Sequence, residues 1–97
     1  MLSKTQKSFL RGLAQRIDNR YLVGKNEPEE GFFEMIDKAL EAKELIKIGA
    51  NTNSSVDLDD LGQTLVDRLG CEIVQKVGHV LVLYRQSSKC PKIDLPK

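Results

Sequence analysis

A single α/β domain built on a mixed four-stranded sheet, in the order α-β-α-β-α-β-β, is the fold class that the sequence predicts. Three observations predict it. The 97 residues leave room for about one hydrophobic core. Apolar residues recur at helical spacing in three separate segments, and short apolar runs lie between and after those segments. The last two such runs are joined by Gly78-His79, a connection suited to a hairpin, so antiparallel pairing is expected there and parallel pairing across the helical crossovers.

The first helix is expected over about Lys4 to Arg16. Ser3 with Gln6 fits a capping box, and Phe9, Leu10, Leu13, Ala14 and Ile17 recur as a buried face. A short strand, Tyr21 to Val23, ends at Gly24. Pro28 suits the first turn of a second helix capped by Asn26 or Glu27, which turns Phe32, Phe33, Ile36, Ala39 and Leu40 inward and ends near Ala42. A strand over Leu45 to Gly49 follows, in which Lys47 points to the face opposite Ile46 and Ile48.

The polar run 51–55 reads as a surface loop. Asp57 can cap a third helix with Leu58, Leu61, Leu65, Val66 and Leu69 on its core face, and Gly70 is a natural stop. Strands over Glu72 to Val77 and Val80 to Tyr84 complete the sheet, with a type II′ turn between them. The domain is expected to span residues 1–85, with 86–97 a flexible tail in which Ile93 and Leu95 could dock locally.

Composition excludes several classes. No apolar stretch approaches the ~18 residues needed to cross a bilayer, and Lys4, Lys7 and Arg11 interrupt the N-terminus before a signal core could form. A cytoplasmic protein without membrane contact is expected. Cys71, Cys90 and His79 are too few and too scattered for a zinc site, and a disulfide is not expected in a reducing compartment. No cofactor motif is present: Gly24 lacks the further glycines of a P-loop or dinucleotide fingerprint. His79 in a turn has no nucleophile beside it, so catalysis is not expected.

The net charge of +1 hides a segregation. Residues 1–25 hold six basic side chains against Asp18, a net +5; residues 26–45 hold seven acids against Lys38 and Lys43, a net −5. Lys4, Lys7 and Arg11 stand at i, i+3 and i+7, which makes one helical stripe. Such a field influences the choice of partner more than the net value does.

Between the first strand and second helix lies YLVGKNEPEEGFF, residues 21–33. A strand that hands over to a helix N-terminus through glycine offers free N–H groups and a positive dipole end, which suit a phosphate. The same residues would also serve a tight turn, and local sequence leaves both readings open.

The segments LSKTQKSFLRGLA, LVGKNEPEEGFFEMIDKALEAKELIKI and GCEIVQKVGHVLVLYR resemble the CRM domain, named for chloroplast RNA splicing and ribosome maturation, in its stand-alone bacterial YhbY-like form. The resemblance covers residues 2 to about 85, and the KIDLP of the tail is also similar to bacterial members. It implies a fold like the C-terminal domain of bacterial translation initiation factor three, with a GxxG loop comparable to that of KH domains set against an RNA backbone. It also implies association with precursors of the large ribosomal subunit.

Matched position by position, the resemblance makes Gly24, Lys25 and Asn26 the loop residues, Lys4, Lys7 and Arg11 the basic helix positions, and Lys47 and Arg85 basic strand positions. One departure stands out, since the family loop ends in glycine and this chain has Glu27. A carboxylate there is bulky and repels phosphate. With the three phenylalanines expected in the core, recognition should favour RNA backbone and shape over base sequence. A monomer is expected. The alternative is a protein-interaction module whose acidic second helix docks a ribosomal protein.

Overall fold

A computed structural model describes residues 2–17, 20–23, 29–50, 56–88, 91, 93 and 95. Helix α1 spans Lys4–Ala14, β1 Tyr21–Val23, α2 Glu30–Lys43, β2 Leu45–Ala50, α3 Leu58–Leu69, β3 Glu72–Val77 and β4 Val80–Tyr84. The strands form one sheet in the order β1-β2-β4-β3. β1 runs parallel to β2, with Tyr21 opposite Ile48 and Val23 opposite Ala50. β4 lies antiparallel to both β2 and β3. The α-β-α-β-α-β-β order and the mixed four-stranded sheet are those expected from the sequence.

Strand alternation divides the core between the two faces of the sheet. Ile46, Ile48, Leu81 and Leu83 point to one face and pack with Phe33, Ile36 and Leu40 of α2 and Leu58, Leu61 and Leu65 of α3. Leu45, Val82 and Tyr84 point to the other face, where Leu10 and Ala14 of α1 cover them together with Val74. Among the described residues, helix α1 is therefore the one helix on its side of the sheet.

Helix ends follow from local chemistry. The Ser3 side chain accepts from Gln6 N at 3.1 Å, and the Gln6 side chain accepts from Ser3 N at 3.0 Å, which closes the capping box. Asp57 caps α3 through Asp59 N at 2.8 Å, and Gly70 ends it in the left-handed region. Helix α2 starts later than the sequence suggests. Its first turn begins at Glu30 with Glu29 as N-cap, because the Glu29 carbonyl accepts from Phe32 N and Phe33 N. The expected caps, Asn26 and Glu27, and the expected first-turn residue Pro28 lie outside the described residues.

The other end of α2 is unusual. Glu44 takes a φ of 67°, and among the described residues it alone does so without being glycine. Such a backbone costs about 1–2 kcal/mol. Several bonds hold it: Glu44 N donates to Leu40 O, its carbonyl accepts from Arg85 N, and its buried carboxylate accepts from Ser87 N at 2.8 Å and Ile93 N at 2.7 Å. Glu41 accepts from the Ser87 hydroxyl and from both Ser88 N and the Ser88 hydroxyl. Ile93 and Leu95 pack at the edge of the α1-side core.

Candidate nucleic-acid interface

The three basic positions of α1 share one flank. At about 100° per residue, Lys7, Arg11 and Lys4 project about 60°, 100° and 120° to one side of fully buried Leu10, whereas Leu13, Phe9 and Arg16 project to the other. Leu13 lines a cavity of about 320 Å³ with Leu45 and Ile93. That flank therefore looks toward the Leu45 end of the sheet, and the Lys7–Arg11 flank looks toward the opposite end. Lys4 and Arg11 are exposed, and Lys7 is half-buried. No carboxylate among the described residues pairs with any of the three.

Helix α1 covers only part of its face of the sheet. Beyond Val82 and Lys47 the next cross-strand row is Val77, Val80, Gly49 and Leu22, set by the pairings Val77 with Val80, Val80 with Gly49 and Gly49 with Leu22. Among the described residues no helix lies over this row: Leu22 is 71% exposed and Val77 57%. Close approach favours Gly49 here. A Cβ on it would stand 3.2 Å from Arg20 Cδ and 3.4 Å from Leu22 Cδ2, so the Arg20 stem crosses the sheet above Gly49.

Lys47 joins the two parts of this surface. It is half-buried on the same face, and its ammonium donates to Ile17 O at 3.0 Å, which fastens the turn after α1 to the sheet. That bond uses one of its three N–H donors. The remaining loop positions, Gly24, Lys25 and Asn26, lie outside the described residues. Their point of departure does not: β1 ends at Val23 beside Ala50 of β2, and Ala50 N donates to His79 O. The parallel pair thus ends next to the uncovered row, at the carboxyl ends of strands where open α/β sheets bind ligands.

Arg85 is not brought together with these residues. It lies on the other side of the sheet, where its guanidinium donates to Asp37 Oδ1 at 2.6 Å, to Leu69 O at 2.9 Å and to Asp37 O at 3.0 Å, with Glu41 3.6 Å away. Only 18% of its side chain is exposed. Arg85 ties α2 to the end of α3.

Three of the four acids of α2, all but exposed Glu34, are similarly occupied. Glu30 receives both contacts of Arg68 at 2.7 and 2.8 Å, and that guanidinium also lies 4.2 Å from the Phe33 ring centre. The Arg68 hydrogen bond and then its charge hold the Glu30 carboxyl below the usual range. Glu30, Asp37, Glu41 and Glu44 are all engaged by partners within the chain, while Lys4, Lys7 and Arg11 face solvent. The segregation of charge along the sequence has become a difference between the two sides of the sheet.

Two further positions differ from expectation or went unnoticed. Phe9, expected in the core, is 40% exposed, because it sits about 100° from Leu10, at the margin of the buried face of α1. Arg20 was not singled out from the sequence; a glycine inside a strand, Gly49, was the available signal that another group passes close by. Cys71 is buried, and burial pushes its thiol up to about 11. Among the described residues no cluster of His, Cys, Asp and Glu could hold a metal ion, and no helix is long and apolar enough to cross a membrane.

Comparison with known proteins adds to this geometry. The family model for the CRS1 / YhbY (CRM) domain matches residues 2–85. The chain is 36% identical over 96 residues to YqeI of Bacillus subtilis (strain 168), named a probable RNA-binding protein, across 99% of this chain and 100% of that one. It is 36% identical to a protein of Haemophilus influenzae named an RNA-binding protein, across 99% and 96% of the two chains. The solution structure of SAV1595 from Staphylococcus aureus, offered as an RNA-binding candidate, superposes with a TM-score of 0.79 at 38% identity, covering 99% of this chain and all of that one.

Proposed function

The chain belongs to the CRS1/YhbY (CRM) domain family, and from that membership we propose that it is a non-enzymatic RNA-binding protein that assists maturation of the large ribosomal subunit. The RNA would lie across the α1 side of the sheet. Lys4, Lys7 and Arg11 supply cations along the helix flank, Lys47 and Arg20 supply them at the sheet, and the loop residues Gly24, Lys25 and Asn26 are proposed to contact the RNA backbone.

The observation that carries this reading is the asymmetry between the two sides. A flank of three cations with no partner among the described carboxylates looks onto an uncovered end of the sheet. On the far side, arginines and main-chain N–H groups of the chain itself occupy Glu30, Asp37, Glu41 and Glu44, which leaves Glu29 and Glu34 as the other acids of that segment among the described residues, both exposed. Cations that face water attract phosphate and release its counterions, whereas neutralised carboxylates offer a basic protein little. The alternative, docking of a ribosomal protein on acidic α2, is weakened on the same ground, since Arg68 and Arg85 already fill that role from within.

Crosslinking in cells, followed by sequencing of the attached RNA, tests the reading. Crosslinks to precursors of the large subunit, and association that nuclease abolishes, are expected. Association with ribosomal proteins that survives nuclease would transfer the function to the acidic helix.

A further inference from the structure

We propose that the uncovered row Leu22–Gly49–Val80–Val77 is a seat for unpaired nucleobases, so that the RNA taken by this protein is single-stranded where it crosses the sheet. The inference rests on the RNA-binding reading and names the class of RNA within it.

The chemistry of the row differs from that of its surroundings. It spans all four strands, about 14 Å at the usual strand spacing, and presents aliphatic side chains to water, Leu22 at 71% and Val77 at 57% exposure. Cations border the row and one crosses it: Lys7 and Arg11 lie on the α1 flank along one side, Lys47 in the row beneath, and the Arg20 stem passes over buried Gly49 between the exposed Leu22 and Val77 ends. The sheet acids lie elsewhere. Glu72 accepts from Leu2 N at the far end of β3, and Asp59 pairs with Lys76, whose partner Leu81 points to the opposite face.

An apolar floor inside a cationic border selects a ligand with flat apolar parts between anionic ones. An unpaired RNA strand has that form, because its bases can be splayed onto a surface while its phosphates reach the edge. A duplex turns its bases inward and shows phosphates and 2′-hydroxyls, which would leave Leu22 and Val77 facing water or polar groups. The floor has no aromatic ring, so the contribution is burial of apolar area and not ring stacking, and it discriminates pairing state more than base identity.

The test uses the full chain and three probes: an unstructured RNA oligonucleotide, the same sequence as a blunt duplex, and a hairpin that displays it in the loop. Tighter binding of the oligonucleotide and the hairpin than of the duplex is expected. The double variant Leu22→Thr, Val77→Thr keeps strand-favouring residues at two exposed positions. It should weaken single-strand binding about tenfold, leave duplex binding unchanged and leave the salt dependence as steep as before. Equal affinity for all three probes, or no effect of the double variant, would overturn the proposal and leave RNA binding standing. Failure to bind any probe at low salt would remove the reading beneath it as well. Concentration-dependent dimers abolished by the double variant would assign the row to a second copy of the chain.

Discussion

The main-chain N–H of Ser87 donates to Oε2 of Glu44 over 2.8 Å, at a residue whose own φ of 67° is one that glycine adopts readily and glutamate does not. The strain and the bond belong together. Turning the chain at Glu44 aims its carboxylate at the segment after β4, where it receives Ile93 N as well. Two substitutions separate the effects. Glu44→Ala should lower the unfolding free energy by about 3 kcal/mol, since two charge-assisted bonds to N–H groups are lost. Glu44→Gly should lose about 1 kcal/mol less, because the backbone strain is relieved. Urea midpoints measure both. A chain ending at Arg85 should fold with the same sheet but at a lower midpoint, as Ser87, Ser88 and Ile93 then no longer meet Glu41 and Glu44.

Neutralising Lys4, Lys7 and Arg11 together to glutamine should weaken RNA binding and flatten its dependence on salt. Each phosphate contact on a single strand contributes about 0.7 to the slope of log affinity against log salt, so the slope should fall by about 2. Lys38→Gln, on exposed α2, is the matched control and should leave it unchanged. An unaltered slope in the triple variant would show α1 to be a solvated face.

By the family resemblance, Glu27 stands at the loop position where glycine is expected. If Gly24, Lys25 and Asn26 meet an RNA phosphate, its carboxylate opposes them, at about 1 kcal/mol for charges a few ångströms apart in water. Glu27→Gly should then tighten RNA binding about fivefold at low salt, with the gain shrinking as salt rises. Glu27→Gln separates charge from backbone freedom: most of the gain should survive in it if repulsion is the cause. Weaker or unchanged binding in both variants, with the fold intact, would place the phosphate elsewhere.

The family resemblance makes Arg85 an expected RNA contact, yet its guanidinium joins Asp37, Leu69 O and Glu41. Arg85→Ala should therefore lower stability by about 2–3 kcal/mol, because the carboxylate and carbonyl lose their donors in a partly buried place. RNA affinity of the folded variant should change less than twofold. A selective loss of affinity at unchanged stability would return Arg85 to the interface.

The contrast between Lys47 and Arg85 marks how far the sequence could be read. Lys47 lies between Ile46 and Ile48, and a period of two assigns it to the opposite face without further knowledge. Helices α1 and α3 were legible for the same kind of reason, since their caps and apolar periods act within a few residues. Arg85 stands just past a strand, where no period applies, and its partners lie 16 and 48 residues away. Phe9 and Leu22 were hidden by a third cause. An apolar residue is exposed only when no element arrives to cover it, and the extent of α1 over the sheet is a property of the assembled layers.

Cys71 offers a prediction in pH. Burial raises its thiol from 9.0 to about 11, so the folded protein favours the neutral form more than the unfolded chain does. The stability that follows is fully present below about pH 9 and is lost as pH rises through about 11. Tyr84, raised chiefly by burial and then by Glu44 and Glu72, adds a decline of the same sign at the alkaline end. In a Cys90→Ser background, Cys71 should resist iodoacetamide at pH 8 until urea unfolds the chain, because the thiolate is the reactive species. Cys71→Ala should make the fall in unfolding free energy between pH 9 and 11 shallower. Rapid alkylation of the native protein at pH 8 would mean that the layer between the sheet and the pair α2 and α3 opens far more often than a packed core allows.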